Sequence, residues 1–275
     1  PRLYCPRTQK KLRSHQMLTP GQISHFETFG FVILRQVFNA EEVSIIKRES
    51  DEIFAEDRNG GPVTNTTQYV QPFFERKPYL STLVDDDRIY EISVDLVGPD
   101  FILIQTEGRS RAGDTPWHGG LENRQYPQTI KINFYTSELT KDTGALRFVP
   151  GSHKASDPDL YEVLRENNDD PDYWPFGMKP SEIPCYAAES RSGDLVIFTE
   201  NVLHSSFGGR PGRNQNAINF MENPKTDEQT AYIKSLYKRW KYGLRPAESY
   251  VNSDSPRIRR MVSRLVEWGF ETSKV

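Results

Sequence analysis

Five histidines occur in the 275 residues: His15, His25, His118, His153 and His204. Two of them stand in settings that favour chemistry. His118 lies in Thr115-Pro116-Trp117-His118-Gly119-Gly120, a loop at the edge of a strand. His204 follows Gly193-Asp194-Leu195-Val196-Ile197-Phe198, a turn feeding an apolar strand, and Arg213 comes nine residues later. Two imidazoles on distant strands of a small β barrel can converge on one metal, and imidazole suits iron, zinc, copper or nickel. An arginine leading into the next strand offers a planar fork that matches a carboxylate. His15 and His25 sit in polar or capping contexts and carry no expected chemistry.

These residues need a scaffold. The spacing predicts a short helix after the capping box Thr19-Pro20-Gly21-Gln22, then a strand through Phe29–Leu34. Asn39, with Glu42 at the box position, starts a second helix carrying Val43, Ile46, Ile53 and Phe54 at helical spacing, and 84–97 reads as a third. From Phe101 the pattern turns to short strands at 101–106, 128–137, 145–149, 194–199 and 217–221, separated by Gly and Pro turns, which suits an antiparallel sandwich or barrel. Helices return at 227–242 and 256–268. The expectation is a single domain over 1–275, mainly β with flanking helices. It has a basic arm at 1–17, lid segments at 58–82 and 155–184, and C-terminal helices at 226–275.

Composition narrows the classes. Thirty-five basic and 38 acidic residues leave a formal charge of −3, which argues against bulk nucleic-acid binding. No apolar run approaches the roughly 20 residues that span a bilayer. The two cysteines, Cys5 and Cys185, make neither a disulfide framework nor a thiolate zinc site and suit a reducing cytoplasm.

The ordered set Pro116-Trp117-His118, Gly144-Ala145-Leu146-Arg147-Phe148-Val149-Pro150-Gly151-Ser152-His153-Lys154, Gly193-Asp194, His204 and Arg213 resembles the phytanoyl-CoA dioxygenase family of Fe(II)/2-oxoglutarate oxygenases, over roughly residues 20–224. The resemblance implies a double-stranded β-helix, a jelly-roll relative. It also implies His118 and His204 as iron ligands, Arg213 and Ser206 as holders of the far carboxylate of 2-oxoglutarate, Gln105 as a further co-substrate contact, and a structural His153.

One departure bears on the reaction. The family pattern is His-x-Asp, and here it is His118-Gly119-Gly120. Gly120 removes a ligand and a negative charge from a low-dielectric site. A chloride ion restores both, and glycine leaves room for it. In this respect the chain is similar to the halogenases of this class, in which O2 and 2-oxoglutarate supply the oxidant. Chlorine rather than hydroxyl then joins the substrate radical, with succinate and CO2 as co-products. Three alternatives stand beside it: a hydroxylase with Glu122 as third ligand, an Asp-to-Gly variant of a hydroxylase, and a non-catalytic binding module.

For the substrate, Tyr69, Phe73, Phe74, Arg76 and Lys77, with Tyr173 and Trp174, form an aromatic and basic lid set suited to a planar anion such as a nucleotide. An amino acid is the competing expectation. Arg257, Arg260 and Arg264 share one face of the last helix, where they could meet phosphate or an acidic carrier protein.

Overall fold

The computed structural model describes residues 16–119, 128–155, 158–166, 170, 172–239 and 244–275. Among these residues ten strands form two facing sheets: β1 (Phe31–Leu34), β2 (Gln68–Val70), β3 (Phe101–Ser110), β4 (Gly113–His118), β5 (Thr129–Tyr135), β6 (Leu146–Phe148), β7 (Tyr186–Ala188), β8 (Leu195–Phe198), β9 (His204–Gly209) and β10 (Asn214–Glu222). The larger sheet has the order β1-β8-β5-β10-β3-β2 and the smaller one β4-β9-β6-β7. Every strand pair within them is antiparallel. This is the expected mainly-β jelly-roll core with flanking helices.

Alternation along the strands explains why the large sheet is covered on one face and open on the other. Ile130, Ile132 and Phe134 of β5, with Ile218 and Phe220 of β10, join one apolar core with Ile46, Ile53 and Phe54 of the helix Ala40–Asp57 and Ile89 and Ile92 of the helix Asp87–Val97. The intervening residues Lys131, Asn133 and Gln215 line a cavity between the sheets. Both predicted capping boxes form: Thr19 with Gln22, and Asn39 with Glu42. The helix Pro256–Glu267 packs on the same large sheet through Ile258, Met261 and Val262.

Two lid expectations change. Within 58–82, β2 is an edge strand paired to β3, and Phe73 and Phe74 are fully buried on the helix side of the large sheet. Phe73 packs against Phe54 and fills the space over Gly108, where a Cβ would meet its ring at 2.1 Å. Phe73 is a core residue because β3 offers it a side-chain-free surface at Gly108. The described part of 155–184 consists of short helical turns packed beside β4. Leu164 and Ile183 share an apolar cluster with Trp117 there, and the Trp117 indole N–H donates to the Pro180 carbonyl at 2.9 Å.

Candidate active site

His118 and His204 are direct cross-strand neighbours on β4 and β9. Their ring centroids lie 4.1 Å apart. Each Nδ1 is 2.8 Å from the carbonyl oxygen two residues earlier, Pro116 for His118 and Val202 for His204. A carbonyl only accepts, so both rings carry the proton on Nδ1 and keep the Nε2 lone pair for a metal. Burial holds both imidazoles below the ordinary histidine value, His204 strongly so. The proximity of His118 adds to the effect on His204, and Arg109 and Lys131 add to it on both. Neutral imidazole is the form that ligates, so this donor set fits a divalent iron. Among the described residues no carboxylate or thiol joins the pair. Gly120 and Glu122 lie outside the described residues.

The motif from Gly144 to Lys154 sets the position of His204. The Leu203 amide donates to Ser152 Oγ at 2.8 Å, and the Val149 amide donates to the Leu203 carbonyl at 3.0 Å. His153 Nε2 lies 3.2 Å from the Glu27 carbonyl, which ties this turn to the first helix, a structural position. The opposite end of β8 is fixed by Asp194. Its carboxylate accepts from the Arg191 and Gln36 amides, each at 2.9 Å, and from Arg35 at 2.7 Å.

Arg213 and Ser206 line the same open cavity as the two histidines, a space of about 400 Å³. Arg213 is buried. Its Nε donates to the Gly144 carbonyl at 2.8 Å, and its guanidinium lies over the Tyr135 ring at 5.1 Å. Gly144 has φ +98°, and a Cβ there would sit 2.5 Å from Arg213 Nε, so glycine is needed for the arginine to lie where it does. A pre-oriented guanidinium across a cavity from two metal-competent imidazoles suits a ligand with a chelating end and a carboxylate end.

The other predicted residues are placed less centrally. Gln105 sits further along β3. It donates to Glu107 at 3.3 Å, accepts from Gln71 at 2.7 Å and borders a separate cavity of about 360 Å³. Tyr69 donates to Glu107 at 2.7 Å and stacks under the Arg109 guanidinium at 4.3 Å, so it props the wall of the site. Arg76 is exposed and donates to the Pro72 carbonyl at 2.6 Å, and Trp174 is exposed beneath Lys179; neither lines the histidine cavity. Arg257 pairs with Asp87, Arg260 donates to Tyr90, and Arg264 pairs with Glu267. The basic face of the last helix is therefore engaged within the chain.

Residues unassigned in the sequence complete the cavity: Arg109, Arg111, Lys131, Asn133 and Gln215. Behind them is Glu107, 1% exposed and paired with Lys131 and Arg109. Burial opposes its charge, but the two cations outweigh this and hold its carboxyl below the ordinary glutamate value. Lys131 and Asn133 alternate inside the predicted strand 128–137, whereas Glu107 and Arg109 lie in the part of β3 beyond the predicted 101–106 and Arg111 just past its end, so only the first pair had a strand signal.

Residues 26–213 match the family description "Phytanoyl-CoA dioxygenase (PhyH)". The chain is 20% identical over 217 residues to an ectoine dioxygenase of Sphingopyxis alaskensis, covering 70% of this chain and 71% of that one. It is 25% identical to the Nocardia farcinica ectoine dioxygenase, covering 67% and 71%. In fold it is similar to HygX of Streptomyces hygroscopicus with nickel and 2-oxoglutarate bound. That match has a TM-score of 0.63 and 22% identity, covering 76% of this chain and 89% of HygX. With the match spanning the strands that hold both histidines and reaching Arg213, the chain belongs to the phytanoyl-CoA dioxygenase family, and with it to the iron- and 2-oxoglutarate-dependent oxidoreductases.

Proposed function

We propose that the chain is an Fe(II)/2-oxoglutarate-dependent halogenase that chlorinates an unactivated C–H bond of a small molecule, a nucleotide or an amino acid, in the cytoplasm and in secondary metabolism. One observation carries this reading. A metal-competent histidine pair is kept, with Arg213 across the cavity, while the sequence has Gly120 where the family has a carboxylate. A site that keeps its co-substrate arginine is built for turnover rather than for passive binding. Iron(II), when bound, would supply the activation of O2 that drives decarboxylation of 2-oxoglutarate to succinate and CO2.

The chain's own residues have separable tasks. His118 and His204 hold the metal through Nε2. Arg213 and Ser206 anchor the far carboxylate of the co-substrate. Leu146 and Phe198 give the cavity an apolar wall that excludes water. Gly120 offers no oxygen ligand, which leaves a position and a missing negative charge that a chloride ion would satisfy. A hydroxylase is the second reading, favoured by relatives named dioxygenases.

Anomalous diffraction from crystals grown without oxygen in iron(II), 2-oxoglutarate and bromide tests the choice. A bromide peak bonded to the metal beside Gly120 is expected. Water or the Glu122 carboxylate in that position, with no bromide, overturns the halogenase in favour of the hydroxylase.

A further inference from the structure

The charge lining the cavity exceeds what metal and co-substrate use. Arg109, Arg111, Lys131 and Arg213 line it, and among the described residues no carboxylate does. Glu107 lies behind the wall and offsets one of these cations. An iron(II) ion on two neutral imidazoles, a 2-oxoglutarate dianion and one chloride together carry a single negative charge. The same is true if a carboxylate replaces the chloride, so the count serves both readings above. Among the described lining residues about two positive charges stay uncompensated in a partly buried space, where unpaired charge is costly. Glu200, just past β8, and Asp114, exposed beside Arg111, do not line the cavity; they reduce the excess, and the lining itself stays cationic.

The hydrogen bonds point the same way. The Nε–H groups of Arg109 and Arg111 are buried and have no acceptor among the described residues. Buried donors in native proteins are paired, so an acceptor is expected to arrive with a ligand. Arg109 is also held ready: Tyr69 lies under its guanidinium and Glu107 stands beside it. A cation fixed in this way loses little side-chain entropy on binding an anion.

We propose that Arg109, Arg111 and Lys131 form an anion subsite, distinct from the Arg213 co-substrate position, that docks a substrate bearing a phosphate or a carboxylate. This deepens the iron/2-oxoglutarate reading and rests on it for the role of the bound molecule. It also moves the expected anion recognition from the exposed Arg76 and from Lys77, which pairs with Glu52 and Glu56, to the floor of the site.

Calorimetric titration of the full chain, loaded with Mn(II) and 2-oxoglutarate so that Arg213 is occupied, tests the proposal. The probes are phenyl phosphate, benzoate, benzyl alcohol and benzylamine. Both anions are expected to bind about tenfold or more tighter than the alcohol, the scale of one charge-assisted contact, with benzylamine weakest. Tighter phenyl phosphate identifies a phosphate ester, and tighter benzoate identifies a carboxylate. Arg109→Gln should weaken the anions about tenfold and leave 2-oxoglutarate affinity within about twofold. Lys131→Met removes one of the two cations that hold the buried Glu107 and is liable to unfold, so Lys131→Met with Glu107→Gln serves as the second variant and should weaken the anions in the same way. Equal affinity for all four probes, preference for benzylamine, or a loss of 2-oxoglutarate rather than probe binding in Arg109→Gln overturns the subsite. Failure of the unsubstituted chain to bind 2-oxoglutarate with Mn(II) is a separate result, which sinks the co-substrate reading. The probe preference and its dependence on Arg109 are still measured on the unloaded chain.

Discussion

His118 and His204 face each other across the β4–β9 pair, 4.1 Å between ring centroids, each with Nδ1 tied to the carbonyl two residues back. The clamp makes orientation a property of the backbone. A shift in the turn after His118 therefore reaches the metal position directly.

Gly119 is that turn. It has φ +97°, and a Cβ there would lie 2.6 Å from the Val202 carbonyl and 3.0 Å from His204 Nδ1. Gly119→Ala must displace the group that His204 uses for its own orientation. Metal affinity is expected to fall about tenfold to a hundredfold, the range seen when such supporting contacts are lost. Titration of Mn(II) into the two proteins in the presence of 2-oxoglutarate measures it; unchanged affinity refutes the clamp.

Gly120→Asp separates the two readings of the reaction. Under the halide reading the new carboxylate takes the vacant position, chlorination is lost and some hydroxylation of the same substrate appears. Product analysis by mass spectrometry in chloride buffer reads both. Chlorination that survives the substitution would falsify the role given to Gly120.

Much of this architecture was legible in the residues, and the exceptions have physical causes. The capping boxes at Thr19 and Asn39 are local chemistry and read directly. The short apolar strands β1 and β8 announce themselves through Val, Ile and Phe. Strand β9, His204-Ser205-Ser206-Phe207-Gly208-Gly209, is small and polar, and β4 contains Pro116, so neither shows strand character alone. Both exist because the opposite sheet and the pairing of His118 with His204 hold them. Phe73 and Trp174 have similar propensities, yet Phe73 is fully buried over Gly108 and Trp174 is exposed. Tertiary contact decides between them. His118, His204, Arg213 and Ser206 could be named because each sits in a motif with fixed spacing. Arg109 and Lys131 sit in none, and only their shared inward face gives them a role.

Asp194 should be among the costliest single positions outside the site. Its side chain is 1% exposed, and burial opposes its charge. The donors from Arg191, Gln36 and Arg35 outweigh that and hold the carboxyl below the ordinary aspartate value of 3.8. Asp194→Ala leaves several donors unpaired and is expected to destabilise the fold by about 2–4 kcal/mol. The folded-state value is depressed, so this stabilisation is present above about pH 4 and is lost as pH falls below it. Urea unfolding at pH 7 and at pH 3 checks both parts: the gap between the two proteins should be larger at the first than at the second.

Glu75 should act in the opposite sense. It lies beside the second cavity, near Tyr250. Thr106 Oγ accepts the Phe73 and Phe74 amides at 3.0 and 3.1 Å, so its own proton is left to donate to Glu75. Burial dominates over that bond and pushes the carboxyl up to about 7 from an ordinary value of 4.5. Between those two values the folded chain holds a proton that the unfolded chain has released. Stability therefore falls as pH rises through this window and levels off above it. Glu75→Gln keeps the acceptor for Thr106 and removes the titration. The substituted protein should match the original near pH 4 and exceed it by about 3 kcal/mol at pH 8. Denaturant midpoints measured across pH 4 to 8 decide the matter, since parallel curves for the two proteins would show that Glu75 is ionised throughout and that its surroundings are wetter than the packing implies.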